Sequence, residues 1–347
     1  MLVKKSKILV SIIIPNYAGE LFIKDCINSI YKERANNFEV IVVDDASQDT
    51  GLSIIKKNFL GYPNFKLIEL KKNGGTVNAI NTGIAKSQGE FIFILGNDTK
   101  LLPGWPQVIL DFFKEYPQAG IAQAKILKMG TNNFDYAGDY IGPFGFLIER
   151  AREAKDVGQF DKIVPVFSIK GGAMIVKKEA YLKLGGMENS YRFGWEEPDF
   201  TWRAWIAGYE TYFLPYITVY HAYGTKRKNI KYYMKAQIFY HGCKNNITSL
   251  IKNLSVGRLL YMLPINIACY MILSIMFLFK GNITNCLAMI RGMLYVIGNL
   301  PTIIDKRRRV QKMRTMSDHE LFSKVGAKQN IGYYFGKATA YVTGKPF

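Results

Sequence analysis

The chain has 347 residues, of which 49% are hydrophobic and 14% aromatic, so it can bury one large core or two modest ones, and global disorder is excluded. Its net charge of +19 is uneven, because residues 1–225 carry 26 Lys or Arg against 24 Asp or Glu, whereas residues 226–347 carry 20 against 3. This basic third also holds the long apolar segments, so we expect an anionic membrane surface as its partner. The sequence contains no zinc-finger spacing and no RNP-type motif, so we expect no nucleic-acid partner.

Strand-like and helix-like patterns alternate through the first hundred residues. The N-terminus imitates a signal peptide, but its apolar run is short, β-branched and ends in Pro-Asn, so we interpret it as a first strand. Strands that are apolar on both faces and alternate with helices indicate an α/β fold with a parallel sheet covered on both sides. In chain order the prediction is strand 7–17, helix 21–33, strand 38–47, helix 50–59, strand 65–70, helix 76–88 and strand 90–98.

The segment that follows is less regular, and residues 130–165 carry no readable motif. Its apolar runs and glycine pairs still indicate several elements. They are helix 104–117, strand 119–127, a strand, glycine turn, strand and helix over 164–187, and helix 198–210.

Two long apolar stretches dominate the C-terminal third. Residues 259–279 contain no charged side chain over 21 residues, a length that crosses the hydrocarbon core of a bilayer as a helix. Residues 283–304 are apolar but include one arginine and one proline, so that spanning the bilayer and lying in its interface both stay open. Basic residues before this region, at 226–228, and after it, at 306–309, predict that both flanks are cytoplasmic.

Polar side chains follow three of the predicted strands at the points where the strands end. Taken alone, each cluster could be a simple turn, since Gly, Asn and Asp are turn formers. The carboxyl ends of parallel strands meet at one edge of a sheet, however, and open α/β sheets bind ligands there, so we expect one shared site. The clusters are Pro15-Asn16-Tyr17, Asp44-Asp45 and Asn97-Asp98.

Six strings in the right order resemble glycosyltransferase family 2, in particular a rhamnosyltransferase-like branch with a C-terminal membrane anchor. The resemblance covers about residues 8–255 and implies a GT-A fold and a nucleotide-diphosphate sugar donor, linked to UDP, dTDP or GDP. The strings are VSIIIPNYAGE, FEVIVVDDASQDTG, NGGTVNAINTGIAKSQGEFIFILGNDTKLLPGW, GGAMIVKKEAYLKLGGM, FGWEEPDFTWRAWIAGYE and VYHAYGT.

The resemblance assigns donor binding mainly to the first hundred residues. Asp44 or Asp45 would accept hydrogen bonds from the base or ribose, with the Pro15-Asn16-Tyr17 loop packed on the base, and a helix N-cap run is the alternative. Gly74-Gly75 before a helix would let the backbone approach the phosphates, although a simple turn fits equally well. Asn97 and Arg203 complete the expected donor-binding set.

The family's metal motif is Asp-x-Asp, and the matching string here is Gly96-Asn97-Asp98, which lacks the first carboxylate and keeps the second as Asp98. A hard divalent cation on carboxylate oxygens neutralises a leaving diphosphate, and Mn²⁺ also accepts imidazole. The resemblance therefore implies Mn²⁺ or Mg²⁺ on Asp98 and His221, with a surface histidine as the alternative for the second residue.

The acidic string WEEPDF resembles the family's catalytic segment. Glu197 stands where the family usually has its catalytic Asp, which implies a general base for an inverting, single-displacement transfer. Glu196 and Asp199 are the alternatives for this role. A helix N-terminus that favours negative charge would explain all three carboxylates without catalysis.

The expected function is a metal-dependent, inverting, non-processive transferase that adds one sugar to a lipid-linked or other glycan acceptor. Polymerising relatives carry Gln-x-x-Arg-Trp and nicotinamide dehydrogenases carry GxGxxG, and neither motif occurs here. The alternative is a membrane-tethered carbohydrate- or nucleotide-sugar-binding protein without turnover.

We expect the protein at the cell membrane with its catalytic domain on the cytoplasmic face. Four widely spaced cysteines without a Cys-x-x-Cys pair agree with a reducing compartment. The predicted domains are a catalytic domain 1–225 with donor half 1–100 and acceptor half 101–225, a basic juxtamembrane connector 226–256, membrane-associated helices 257–310 and a cytoplasmic tail 311–347.

Overall fold

The computed structural model describes residues 8–222 and 234–343 of the chain. The predicted basic cluster 226–228 lies outside these residues. Strand and helix alternate through the first hundred residues in the predicted order. The elements are β1 Val10–Asn16, α1 Ile23–Ile30, β2 Phe38–Asp44, α2 Gly51–Phe59, β3 Phe65–Glu69, α3 Thr76–Ala85 and β4 Phe91–Leu95.

The four strands of this part lie parallel to one another in the order β3-β2-β1-β4. Neighbouring residues of β1 belong to different apolar clusters, with Ile12 and Ile14 in one and Ile13 in the other. Because side chains alternate across a strand, the two clusters lie on opposite faces of the sheet. The predicted α/β sheet with both faces covered is therefore confirmed.

The following residues extend the sheet with strands of both directions. Their elements are β5 Thr99–Leu101, α4 Trp105–Glu115, β6 Ala119–Lys128, β7 Phe134–Tyr136, β8 Asp139–Ile141, β9 Leu147–Glu149, β10 Val164–Pro165, β11 Ala173–Lys177, α5 Lys178–Lys183, α6 Glu196–Ile206 and β12 Glu210–His221. β11 lies antiparallel between β4 and β6, and β12 pairs parallel with β6. The long strand β12 is absent from the predicted elements, because Pro215 interrupts its pattern and its register with β6 shifts between Leu214 and Thr218.

Helices make up the described C-terminal part. They are α7 Met234–Asn253, α8 Val256–Phe279, α9 Ile283–Gly298, α10 Leu300–Lys312, α11 Asp318–Val325 and α12 Ile331–Thr343. α7 lies in the predicted connector, yet its Asn245, Ser249 and Asn253 are fully buried. α11 lies in the predicted tail, and its Leu321 packs with Trp202 of α6. Both segments therefore contact the sheet domain directly, and the domain boundaries stay predictions.

One helix of the described residues, α8, is long and apolar enough to cross a membrane, and 28% of its most apolar stretch is buried within the fold. The pair α9 and α10, bent by 70° relative to each other, meets the same criterion only as one broken or re-entrant span. Length and composition alone support this finding. Whether the second apolar stretch spans or lies in the interface therefore stays open.

Candidate active site

Hydrogen bonds join the tips of three strands into one polar edge. β1 pairs with both β2 and β4, and the register places Asn16 beside Asp44. The side-chain amide of Asn16 donates to Asp44 Oδ1 at 2.8 Å, and Asn16 Oδ1 accepts from Asn97 at 2.9 Å. Gly19 leaves room for this chain of bonds, because a Cβ there would lie 2.1 Å from Asn16 Oδ1. The structure thus brings together the three clusters expected at this edge.

Asp45 holds the glycine loop that precedes α3. Its two carboxylate oxygens accept from the backbone N–H groups of Gly74 and Gly75, each at 2.8 Å. Gly75 has a φ of 87°, a left-handed conformation that favours glycine. Because these N–H groups are directed at Asp45, a phosphate could reach them only by sharing them with the carboxylate. The end of β1 pairs with the end of β2, beside Asp45. There Pro15 is partly buried, and Tyr17, just after β1, is exposed.

The short strand β5 places His221 beside Asp98. β5 pairs antiparallel with the end of β12, so that Thr99 lies opposite His221, and Ala222 N–H donates to the Asp98 carbonyl at 2.9 Å. Nε2 of His221 consequently lies 3.3 Å from Asp98 Oδ1. The other ring nitrogen, Nδ1, lies 2.8 Å from Asp135 Oδ2. An imidazole is therefore held between two carboxylates.

Asp135 and Lys170 complete this cluster, and neither is among the predicted site residues. Lys170 Nζ donates to Asp135 Oδ2 at 2.7 Å. Burial opposes ionisation of Asp135, but the hydrogen bond with His221 and the charge of Lys170 hold its pKa well below its usual range. Burial likewise opposes protonation of His221, but its bonds to Asp135 and Asp98 raise the pKa of the imidazole. A single aspartate between aromatic residues in β7 offers no sequence pattern that would identify it.

A carboxylate and an imidazole that face each other can serve as ligands for a divalent cation. Metal-bound histidines usually donate their other ring N–H to a carboxylate that fixes the tautomer, and Asp135 is placed to do this for His221. In the part of the chain that the structure describes, no group of three or more His, Cys, Asp or Glu side chains is arranged to hold a metal. A cation on Asp98 and His221 would therefore need further ligands from water or a substrate phosphate, as Mg²⁺ sites commonly do.

Gly96 occupies the position of the missing first carboxylate. A Cβ there would lie 3.1 Å from Asp98 Oδ1 and 3.3 Å from the methyl group of Thr99. Both contacts are closer than side chains ordinarily make, so an aspartate at this position would displace its neighbours. A side chain at position 96 would therefore need the carboxylate of Asp98 and the methyl group of Thr99 to shift by a few tenths of an ångström.

A glycine turn connects this cluster to the acidic start of α6. Gly171 N–H donates to Glu197 Oε1 at 2.9 Å, and Gly96 N–H donates to the Gly172 carbonyl at 3.1 Å. A Cβ on Gly171 would lie 2.6 Å from Glu197 Oε1, whereas one on Gly172 would meet no atom within 4 Å. The turn therefore connects Glu197, through these two hydrogen bonds, to the tip of β4, the strand end that carries Asp98.

Glu196 and Glu197 begin α6 as a pair of partly buried carboxylates. Burial raises the pKa of Glu197, against the opposing effect of backbone hydrogen bonds from its own N–H and from Gly171. Burial and the charge of Glu197 both raise the pKa of Glu196. Trp195, which precedes them, has a φ of 70°, a strained conformation of the kind found at functional sites. A partly buried carboxylate with a raised pKa is suited to accept a proton near neutral pH.

Asp199 and Arg203 face the protein interior. Asp199 is fully buried, and its carboxylate lies 3.0 Å from Arg203 Nε and 2.9 Å from Lys252 Nζ of α7. Burial opposes ionisation of Asp199, but the charges of Lys252 and Arg203 lower its pKa to about 2. Arg203 also donates to two carbonyl oxygens of the glycine turn that follows α5. These contacts join α6, α7 and that turn, and the catalytic role of Asp199 and the donor contact of Arg203 stay predictions.

Comparison with known proteins gives a family match for part of the chain and a similarity of fold. Residues 11–181 match the family model described as Glycosyl transferase family 2. An uncharacterized glycosyltransferase of Haemophilus influenzae is 26% identical over 185 residues, which are 53% of this chain and 58% of that protein. The chain thus spans less than two thirds of the length of this curated relative.

Two solved structures are similar over most of the chain. TarS 1-349 of S. aureus, in complex with UDP-GlcNAc, matches with a TM-score of 0.57 and 18% identity over 98% of this chain and 93% of that one. GalNAc-T7, with UDP, GalNAc and Mn2+, matches with a TM-score of 0.63 and 14% identity over 95% of this chain and 57% of that one. At such low identity the likeness concerns the fold.

Proposed function

Because residues 11–181 match the glycosyl transferase family 2 model and the chain has a GT-A fold, we propose that it is a glycosyltransferase that moves one sugar from a nucleotide-diphosphate donor to an acceptor hydroxyl. The observation that carries this proposal is the glycine turn that links the partly buried Glu197 to the strand tip bearing Asp98. The two solved neighbours, which are complexes with UDP or a UDP-sugar, support a nucleotide-sugar donor. The rhamnosyltransferase-like branch rests on the sequence resemblance alone.

In the proposed mechanism, the acceptor hydroxyl attacks the anomeric carbon from the face opposite the diphosphate. Glu197 takes the hydroxyl proton while the new C–O bond forms and the bond to the diphosphate breaks, so that the anomeric configuration inverts. Asp98 and His221 would hold a divalent cation, which when bound neutralises charge on the leaving diphosphate. Asp135 fixes the ring of His221, and the edge formed by Asn16 and Asp44 receives the base and ribose.

We propose a lipid-linked glycan as acceptor and the cytoplasmic face of the membrane as the site of the reaction. The candidate membrane helix α8 supports this assignment. Lys306 of α10 lies 3.1 Å from Glu188, so the chain returns to the sheet domain after the apolar hairpin of α8 and α9. Both ends of the apolar region would then lie on one side of the membrane, beside an anionic lipid surface.

The proposed topology predicts that both flanks of the apolar region are closed to the outside of the cell. A cysteine placed at Arg308, which is 73% exposed, and one placed within the cluster 226–228 should not react with an impermeant maleimide added to intact cells. Both should react after lysis, which serves as the positive control. Labelling of either cysteine from outside would contradict the topology.

A screen of nucleotide sugars tests the proposed function itself. The purified chain in lipid nanodiscs would be incubated with UDP-, dTDP- and GDP-sugars and Mn²⁺, and release of the nucleoside diphosphate would be measured. We expect release from at least one donor. The alternative, a membrane-tethered sugar- or nucleotide-sugar-binding protein, predicts donor binding without release under any of these conditions.

The proposed metal site predicts that EDTA abolishes activity and that added Mn²⁺ or Mg²⁺ restores it. Asp98→Ala should remove metal-dependent donor binding and leave the melting temperature nearly unchanged, because this carboxylate is 29% exposed at a strand tip. Asp111→Ala, at an exposed position on α4, is the matched control and should behave like the wild type. Full activity in EDTA would overturn the metal assignment.

The glycine turn predicts a large difference between two adjacent substitutions. Gly171→Ala places a Cβ 2.6 Å from Glu197 Oε1, and the carboxylate, as the end of a flexible side chain, would move while the fold persists. A displacement of this size near the reacting atoms can cost about 10²-fold in kcat. Gly172→Ala adds the same methyl group where no atom lies within 4 Å, so its kcat should stay near the wild-type value. Equal kcat values for the two variants would contradict the role given to the turn.

A further inference from the structure

A largely apolar cavity of about 610 Å³ lies between the C-terminal helices and the acceptor half of the sheet domain. α7, α8 and α12 form its apolar walls, with Phe239, Tyr270 and Phe335 among the lining side chains. Its volume falls within the range of small-molecule sites, about 300–1,000 Å³. A single lipid chain fits such a space.

One end of the cavity is polar and adjoins the proposed active site. Trp195 lines the cavity and immediately precedes Glu196 and Glu197 at the start of α6. Asp139, which is 5% exposed, also lines it, and its Oδ2 accepts from the Tyr136 hydroxyl at 2.7 Å. Among the described residues, Asp139 Oδ1 has no hydrogen-bond partner although it is buried. Buried carboxylate oxygens nearly always have a partner, so the position suits a hydroxyl from a bound ligand.

The remaining charges at this end complement a sugar and a phosphate. Glu149 and Lys337 both line the cavity. A carboxylate accepts hydrogen bonds from sugar hydroxyls, and an ammonium group pairs with a phosphate. This polar end therefore matches the head group of a lipid-linked glycan.

The apolar end of the cavity is built from exposed apolar side chains. Ile238 and Ile272 line it and are 40% and 55% exposed, and Phe335 is 65% exposed. Ile272 belongs to α8, which is the candidate membrane helix. One wall of the cavity is therefore the element that would contact the bilayer, so a lipid chain could enter without crossing water.

We propose that this cavity binds the apolar chain of the lipid-linked acceptor and presents its glycan head group to Glu197. Asp139 and Glu149 would accept hydroxyls of the glycan, and Lys337 would pair with the phosphate that joins lipid and glycan. This inference rests on the proposed glycosyltransferase function and adds to it a site for the acceptor lipid.

The test uses dodecyl maltoside with a diazirine in its alkyl chain, a probe that combines a lipid chain with a glycan head group. Added to the full-length chain in nanodiscs and activated by light, it should label peptides of α7, α8 and α12. Unlabelled dodecyl maltoside should compete with the probe, and maltose should not. Labelling spread evenly over all exposed apolar surfaces would overturn the proposal.

Two glycine variants distinguish binding of the probe in the cavity from its adsorption to apolar surfaces in general. Gly242 lies on α7 and lines the cavity, and a Cβ built there meets no atom within 4 Å, so Gly242→Leu should fill part of the space. Labelling of the three helices should fall about tenfold in this variant. Gly257→Leu adds the same side chain to α8 at a position that also meets no atom within 4 Å and lies outside the cavity lining, so its labelling should match the wild type.

The outcomes distinguish this inference from the function on which it rests. If the wild type turns over a donor but the probe labels the wild type and Gly242→Leu equally, the proposed lipid site is wrong and the proposed function stands. Absence of turnover with every donor counts against the function, whatever the labelling shows. If melting curves show that Gly242→Leu is unfolded, Ala338→Leu fills the cavity from α12, and unchanged labelling of that variant overturns the proposal.

Discussion

Glu197→Gln is expected to lower kcat by about 10²- to 10⁴-fold with little change in donor affinity. The substitution keeps the shape of the side chain and removes its ability to take a proton from the acceptor hydroxyl. The proposed donor contacts are at the strand tips and do not include Glu197, so donor binding should persist. Steady-state kinetics with varied donor, combined with donor titration, would separate the two quantities.

The pH profile gives this prediction a second observable. Burial raises the pKa of Glu197 above the ordinary glutamate value of about 4.3. The carboxylate must be deprotonated to act as a base, so kcat/KM of the wild type should fall as pH drops through a limb that lies above the ordinary glutamate range. Glu197→Gln should lose this limb, and Glu196→Gln should keep it. Near-normal turnover of Glu197→Gln, with loss of turnover in Glu196→Gln or in Asp199→Asn that unfolding curves show to be folded, would move the base to another carboxylate of α6.

Asp199→Asn is expected to destabilise the fold by about 3–5 kcal/mol, because it removes the nearest counter-charge of two buried cations and leaves Lys252 only the more distant Glu188, at 3.8 Å. Arg203 and Lys252 are 6% and 2% exposed, so water cannot replace the carboxylate at either. The ion pairs lost in this variant join α6 to α7, beside the glycine turn that follows α5. Denaturant unfolding at neutral pH measures it directly.

A surface pair provides the control for this effect. Glu69→Gln removes the partner of Lys56 at a site where both side chains are about half exposed, and it should cost only about 0–1 kcal/mol of unfolding free energy.

The contribution of Asp199 to stability should also depend on pH. The pKa of Asp199 is lowered to about 2 from an unfolded value of about 3.9, so its stabilising effect is complete above about pH 4 and is lost as pH falls toward 2. In Asp199→Asn this acid-dependent loss should be missing. Equal unfolding free energies for Asp199→Asn and Glu69→Gln would show that the network contributes little.

The strand tips were accessible to sequence reasoning because each tip follows a short apolar run. The runs that end at Asn16, Asp44 and Leu95 are buried on both faces, and parallel pairing then brings their polar ends together. The contact of Asp98 with His221 is different, since it depends on the pairing of β5 with a strand that Pro215 hides from pattern analysis. Only the family resemblance pointed to His221.

Residues whose partners come from distant segments left no local signal. Asp135 contacts both Lys170 and His221, which come from two other segments of the chain, and Asp135 and Lys170 are ordinary surface residue types by sequence. The asparagines of α7 make its sequence look like a solvated connector, whereas Asn245 and Asn253 donate to groups of the sheet domain. Polar residues that are buried by tertiary contacts cannot be distinguished from solvated ones by composition.

The anomeric configuration of the transferred sugar tests the central claim most directly. Once a donor is identified, the product formed before any mutarotation or further reaction can be assigned by NMR from the coupling constant of the anomeric proton. With Glu197 as base opposite the diphosphate, a single displacement predicts a configuration inverted relative to the donor. A product that retains the configuration of the donor would contradict the mechanism and the role assigned to Glu197.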